Sequence, residues 1–298
     1  MSTTFSAAAP PLPDVLAPVV RRGRVRGFIR RHPTAALGGV LLAIMLAIAI
    51  FAPWLGTVDP ESIDPINRLA GPSAAHWFGT DMLGRDVYSR TIYGARISLL
   101  VGFSVALFAT AAGTLVGVVA GFVRLLDGIL MRIMDGLMSI PPILLAIALM
   151  ALTRASVQNV IFAISVAQFP AISRLVRGIV LSLREQPFVE AAIASGTRLP
   201  ALIWRHILPN TMAALLVQAT FTCASAMITE AILSFIGAGT PPIIPSWGNI
   251  MAEGRALWEI KPYIVFFPAA FLSATVLAVN LLGDGLRDAL DPRLAKRL

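Results

Sequence analysis

His76, Asp81 and Asp86 form the only histidine–aspartate grouping within one loop, so hydrolytic or metal chemistry would have to begin there. A metal site needs several ligands at matched spacing, and a hydrolase needs a nucleophile, a base and an orienting group within reach of one another. One histidine without a second, spaced partner reads instead as a hydrogen-bonding loop residue. His32 and His206 are far away in sequence. The single cysteine, Cys223, sits in an apolar run and has no partner for an internal disulfide. No Gly-x-x-x-x-Gly-Lys-Ser/Thr loop occurs, so the chain has no P-loop with which to hydrolyse ATP. Asp81 is suited to capping one turn and Asp86 to starting a helix, with Arg90 four residues on as an ion-pair partner. Glu230 closes an apolar run, where an acid is either a gate or receptor contact or a solvated interfacial group. Both readings stay open.

The elements that must position these residues are membrane spans. The chain has 298 residues, 57% hydrophobic and 13% charged, with mean hydropathy +0.79. A soluble domain carries about 25% charged residues, so the composition already excludes that class. The net charge of +8 does not gather into a nucleic-acid patch, because the basic residues are dispersed between apolar runs. Residues 1–20, rich in Ala and Pro, read as a disordered tail. A cluster of arginines from Arg21 to Arg31 then precedes an apolar run at 34–54, too long for a signal-peptide core and without a small-x-small site. Further runs at 97–123, 136–153, 155–173, 207–229 and 262–283 bring the expected count to six transmembrane helices. About 20 residues cross the hydrocarbon core, so the run at 136–153 is short and should begin nearer Ile129.

Orientation follows from Lys and Arg in short loops. The segment before the first run, the turn with Arg124 and Arg132, the stretch from Arg174 to Arg205 and residues 287–298 are all basic and are expected in the cytoplasm. The loop at 55–95 carries Asp59, Glu61, Asp64, Asp81 and Asp86 and is expected outside. Gly113, Gly117 and Gly121 recur every four residues, which lets a neighbouring backbone approach one helix face. Pro141-Pro142 and Pro170 should kink the third and fourth spans.

Between the fourth and fifth runs lies a polar helix-turn-helix with Glu190-Ala191-Ala192, Gly196 and Arg205-His206-Ile207-Leu208-Pro209. It resembles the EAA loop of ABC importer permeases, in the variant of the dipeptide/oligopeptide/nickel family, with His206 where an isoleucine is usual. Three further strings resemble the same family in its order. They are the Gly79-Thr-Asp-x-x-Gly-Arg-Asp run with Ser89-Arg90 and Tyr93-Gly94-x-Arg96, then Leu233-Ser-Phe-Ile-Gly237 with Pro245-Ser-Trp-Gly-Asn249 and Ala252-Glu-Gly254, and finally residues 281–293. The match covers roughly residues 34–293 and is closest to the dipeptide permease C type.

This resemblance implies an all-α integral-membrane chain, the six-helix bundle of a type I ABC importer permease, in a bacterial inner membrane. It divides the chain into a basic cytoplasmic tail (1–33), a first transmembrane helix (34–54), an extracytoplasmic loop (55–95), a permease core (96–286) with a coupling loop at 184–209, and a cytoplasmic end (287–298). The implied partners are a homologous permease subunit, two ATP-binding subunits and an extracytoplasmic substrate-binding protein, within a lipid bilayer and without nucleic acid. ATP and Mg are bound by the ATPase partners; this chain is expected to hold no cofactor or metal of its own. Glu190, Ala191, Ala192, Gly196, His206, Leu208 and Pro209 are the implied ATPase-coupling residues, with Ala191 and Gly196 allowing close approach and Pro209 breaking the loop from the fifth span. Glu230, Asp81, Arg85 and Asp86 are the candidates for a gate or receptor contact. A secondary transporter would need ionisable groups at mid-membrane, and those found here lie near span ends.

Overall fold

Residues 32–290 are described by a computed structural model, and every helix or strand among them is a helix. The basic tail, the arginine cluster up to Arg31 and residues 291–298 lie outside the described residues. Helix α1, Pro33–Phe51, starts on a proline, whose missing amide is no loss in a first turn. A loop with a short turn at Pro65–Asn67 follows. Asp64 caps that turn, accepting from the Ile66 amide at 3.1 Å and from the Asn67 side chain at 2.7 Å. The Asn67 contact holds the Asp64 carboxyl below its usual range, with help from the Ile66 amide.

Helix α2, Val87–Phe122, is capped as expected by Asp86, whose carboxylate accepts from the Ser89 amide at 2.7 Å. It begins ten residues before the apolar run at Ile97, so residues 87–95 are helix and not loop. The cap decides the start, and hydropathy marks only where the charged first turns end.

The third expected span is not one helix. Helices α3, Arg124–Met138, and α4, Pro142–Ala151, meet at 87° across the Pro141-Pro142 break. Proline at 142 has no amide to give and forces its predecessor out of the helical region, which ends α3 early and restarts the chain in a new direction. Helix α5, Val157–Arg184, is capped by Ser156 and passes unbroken through Pro170, and it continues eleven residues past the expected end at Ser173. Two short helices follow: α6, Pro187–Ala194, and α7, Leu199–Leu202. A π turn at Ile203–Ile207 joins α7 to α8, Leu208–Phe235. Helix α9, Trp247–Gly254, precedes α10, Tyr263–Leu290. Five helical stretches are long and apolar enough to cross a membrane, and the bent pair brings the number to six.

Helix α2 is held against α5 by its three spaced glycines. A Cβ on Gly113 would lie 2.7 Å from Ile172, on Gly117 2.6 Å from the Ser173 carbonyl, and on Gly121 2.5 Å from Val180. The stripe is a packing seam, because any side chain there collides with the neighbouring helix. Across the spans only 28–44% of the residues in each apolar window are buried, so broad apolar faces, with Leu107 and Leu115 among them, point away from the chain. In water that surface would be untenable; acyl chains or another subunit must cover it.

The bundle has two distinct ends. At one, the loop through residue 86 packs against α9 and the start of α10, where the Tyr263 hydroxyl donates to the carbonyls of Ala70 and Thr80. At the other, Arg184 at the end of α5 donates to the Gly121 carbonyl near the end of α2, beside α6 and α7. We call these the loop end and the hairpin end.

Candidate functional site

The hairpin is built on three apolar anchors. Val189, Leu202 and Ile207 are buried with Val180 and Leu215, which fixes α6 and α7 to the bundle. Burying three such side chains supplies several kcal/mol, at about 1.5–3 kcal/mol each. Most of the residues between the anchors face outward, although Ala192 and Ile203 pack partly against the same cluster. Glu190, Ala191, Gly196 and Pro209 are exposed, while Ala192, His206 and Leu208 are half-buried. Phe188, Ile193 and Leu199 stand exposed beside them, and Trp204 is 74% exposed. Nothing in this set resembles a nucleophile with its base. The segment can serve as a docking face on which exposed apolar side chains stand beside Glu190, Arg198 and Arg205.

Gly196 is favoured for a local reason that its spacing does not reveal. It ends α6 with φ +78°, donating to the Ile193 carbonyl at 2.9 Å while the Thr197 amide donates to Ala192 at 3.0 Å. A Cβ there would meet nothing within 4 Å, so no close approach inside this chain demands glycine.

Pro209 does not break the hairpin from the fifth span. The helix runs continuously from Leu199 to Phe235, with Pro209 in the first turn of α8. The π turn accommodates this run: the Leu208 amide donates to Ile203, five residues back, and the amide that Pro209 lacks falls within the widened turn. The hairpin and the span are therefore one rod.

At the loop end the charged residues are consumed internally. The Asp81 carboxylate accepts from the Leu83 amide at 2.8 Å and the Arg85 amide at 3.0 Å, confirming its turn-capping role, and also from the Arg85 Nε at 2.7 Å and from Arg90. Arg90, fully buried, does not pair with Asp86; its guanidinium is shared between Asp81 and Glu253 of α9, with Nη1 to Glu253 Oε2 at 2.6 Å and Nη2 to Oε1 at 3.1 Å. The reason is direction: Asp86 is the helix cap, and its second oxygen takes His76 Nδ1 at 3.0 Å. Arg85 reaches Glu253 as well, at 2.6 Å. Asp81, Arg85 and Asp86 thus tie the loop to α2 and α9, and being buried they offer a receptor little surface.

Glu230 is not solvated. It is 0% exposed near the C-terminal end of α8, and its Oε1 accepts from the Ser234 hydroxyl at 2.9 Å. Ser234, Thr240 and Ser246 form a chain of hydroxyl contacts of 3.4 Å, and the Asn249 side chain donates to Thr240, to the Thr240 and Pro241 carbonyls and to Ile244. Trp247 seats α9 on α2, its indole donating to the Thr91 carbonyl at 3.0 Å. No group of three or more metal-ligating side chains is assembled among the described residues.

Glu253, Asn249, Ser246 and Thr240 were not singled out from sequence as site residues. Ser246, Asn249 and Glu253 did lie within the strings that resemble the permease family, whereas Thr240 left no signal, and the pairing of Glu253 with Arg90 appears only in the fold.

Comparison with known proteins agrees with this architecture. Residues 113–296 match the family described as the binding-protein-dependent transport system inner membrane component, and residues 25–72 match the N-terminal TM domain of oligopeptide transport permease C. The chain is 53% identical over 281 residues to a protein of Sinorhizobium fredii named as a probable peptide ABC transporter permease, covering 94% of this chain and 96% of that one. It is 42% identical to a dipeptide transport system permease of Alkalihalophilus pseudofirmus, over 89% of this chain and 88% of the relative, and 42% identical to a glutathione transport system permease of Pectobacterium atrosepticum, over 90% of each. The fold resembles that in the methionine ABC transporter MetNI, solved in inward-facing conformations, with a TM-score of 0.55 at 21% identity, covering 67% of this chain and 95% of that one. The chain belongs to the binding-protein-dependent inner-membrane transport components, within the dipeptide/oligopeptide permease family.

Proposed function

We propose that this chain is a permease subunit of an ATP-driven importer of di- or oligopeptides, forming half of a translocation path with a homologous permease. The observation that carries the reading is the hairpin: an exposed apolar face, anchored by Val189, Leu202 and Ile207, on a rod continuous with α8. A surface of that kind, on a chain without a P-loop, fits an ATPase subunit that docks on it. Two such subunits bind ATP and Mg; this chain holds neither. Glu190 sets the register of docking and Ala191 keeps the face low. His206, Leu208 and Pro209 carry the segment into the span. Closure of the ATPases displaces the hairpin, and because no break intervenes, α8 moves with it and alters the loop end, where an extracytoplasmic binding protein delivers solute. The basic bias supports a cytoplasmic hairpin and cytoplasmic termini, with the loop end outside. The relatives named for peptide, dipeptide and glutathione transport support a short peptide as cargo.

Gly196→Asp tests the coupling assignment. Asp is among the residues that tolerate a left-handed backbone, and the site is open, so the variant folds and inserts. The added carboxylate lies on the docking face and should abolish peptide uptake by the assembled complex. Normal uptake together with normal substrate-stimulated ATPase activity would sink the assignment.

A further inference from the structure

Glu230 is the buried ionisable group that the transport scheme leaves unused. Its Oε2 meets no donor in hydrogen-bonding geometry although it is fully buried, and among the described residues no lysine, arginine or histidine forms an ion pair with it. The cations at or reaching the ends of α9 are otherwise engaged. Arg255 donates to the Phe235 carbonyl at 2.7 Å, and Arg85 and Arg90 are held by Glu253. An ionised carboxylate offers about four acceptor positions, and here the Ser234 hydroxyl donates to it at 2.9 Å, with the Ser246 and Thr240 hydroxyls the other polar groups beside it. Burying an unpaired charge costs far more than burying a neutral polar group.

The surroundings suit a donor at Oε2. Thr240 Oγ1 accepts from Asn249 Nδ2 at 2.9 Å and Ser246 Oγ accepts from the Asn249 amide at 3.2 Å, and each hydroxyl oxygen has a second lone pair. These two hydroxyls belong to the connection that carries the chain from α8 into α9, and Ser246 is the N-cap of α9. A cleft of about 180 Å³ lies beside these hydroxyls, lined by Ser234, Thr240 and Asn249 together with Glu253 and Arg255.

We propose that Glu230 acts as an uncharged carboxylic acid whose O–H, directed into the Thr240–Ser246 pair, latches α9 onto α8. Glu230 is then a positioning residue. Helix α8 is continuous with the hairpin at its other end, and α9 carries Glu253, which grips Arg85 and Arg90 in the loop. The latch is the joint through which displacement of α8 reaches the loop end. This last step rests on the transport reading above; the chemistry of the latch does not.

The test uses the assembled complex in lipid. The infrared difference spectrum of wild type against Glu230→Gln should contain the C=O stretch of a protonated carboxyl group. Glu230→Gln keeps a neutral donor and acceptor in place, and peptide uptake should stay within about twofold of wild type. Glu230→Leu removes both and should cut uptake by roughly tenfold or more while basal ATPase activity persists. A carboxylate band in place of the acid band overturns the latch, as does uptake in Glu230→Gln as low as in Glu230→Leu. Failure of the wild-type complex to take up any short peptide would refute the transport reading and leave the infrared result standing.

Discussion

Substituting alanine at Gly117 isolates the seam between α2 and α5. The new Cβ would lie 2.6 Å from the Ser173 carbonyl oxygen and 2.6 Å from Val176 Cβ, where ordinary contact begins near 3.4 Å. A backbone carbonyl cannot rotate away, so the helices must separate by roughly 0.8 Å or the alanine must strain, an overpacking cost of about 1–3 kcal/mol. Alanine also favours a helix over glycine by about 1 kcal/mol, which partly hides the loss. Gly128→Ala supplies the reference, because it too lies within a helix and its Cβ would meet nothing within 4 Å. The propensity gain is common to both variants, so their difference reports the seam alone, about 1–3 kcal/mol in favour of Gly128→Ala. Thermal unfolding of the purified complex, followed by loss of a detergent-soluble monodisperse peak, should place the Gly117→Ala midpoint several degrees below that of Gly128→Ala. Equal midpoints, or a more stable Gly117→Ala, would refute the close-approach reasoning.

The remaining expectations are independent of that seam. Glu253→Gln leaves buried Arg90 and Arg85 with Asp81 as their one charged partner and should destabilise the loop end by about 1–3 kcal/mol, read as faster proteolysis within residues 55–86; unchanged cleavage would show that the shared guanidinium is not what holds the loop. In a Cys223→Ala background, a cysteine introduced at Ser62 should react with an impermeant thiol reagent in intact spheroplasts and one at Ser2 should not; the opposite pattern reverses the orientation. The chain purified alone should neither hydrolyse ATP nor support ATP-driven uptake into liposomes, and both should appear on coexpression with a second permease and two ATPases. Uptake driven by an ion gradient through this chain alone would establish a secondary transporter instead.

What could be read in the sequence was local or periodic. The apolar runs announced the spans, Asp86 announced the start of α2, and the glycines at 113, 117 and 121 announced a seam. The errors arose where one signal stood in for another. Hydropathy cannot see a helix that continues through charged turns, so the apolar runs stop at Ile97 and Ser173 where α2 begins at Val87 and α5 ends at Arg184. Proline was read as a breaker in three places. It breaks at 141–142, where two rings act together, but the helix absorbs Pro170, and Pro209 sits in a first turn behind a π turn. Long-range pairing was least legible. Arg90 and Glu253 are 163 residues apart, and a helical spacing rule could offer only the nearer Asp86. Glu230 was visible as an acid at the end of a run, yet its burial depends on the fold of residues 236–249 over it, for which no periodicity exists.

The length of α2 has one more consequence. Thirty-six residues make a rod of roughly 54 Å, nearly twice the hydrocarbon thickness of about 30 Å. Tilt alone would have to reach about 56° to hide it, beyond the range of about 0–40° that spanning helices adopt. Part of the rod must therefore rise clear of the bilayer, and its first ten residues, Val87 to Arg96, carry both Arg90 and Arg96 as well as Tyr88 and Tyr93. That portion is a mast about 15 Å tall. Arg90 is carried on it and meets Asp81 of the loop and Glu253 of α9 there, so its buried charge is paired within protein without ever being submerged in lipid.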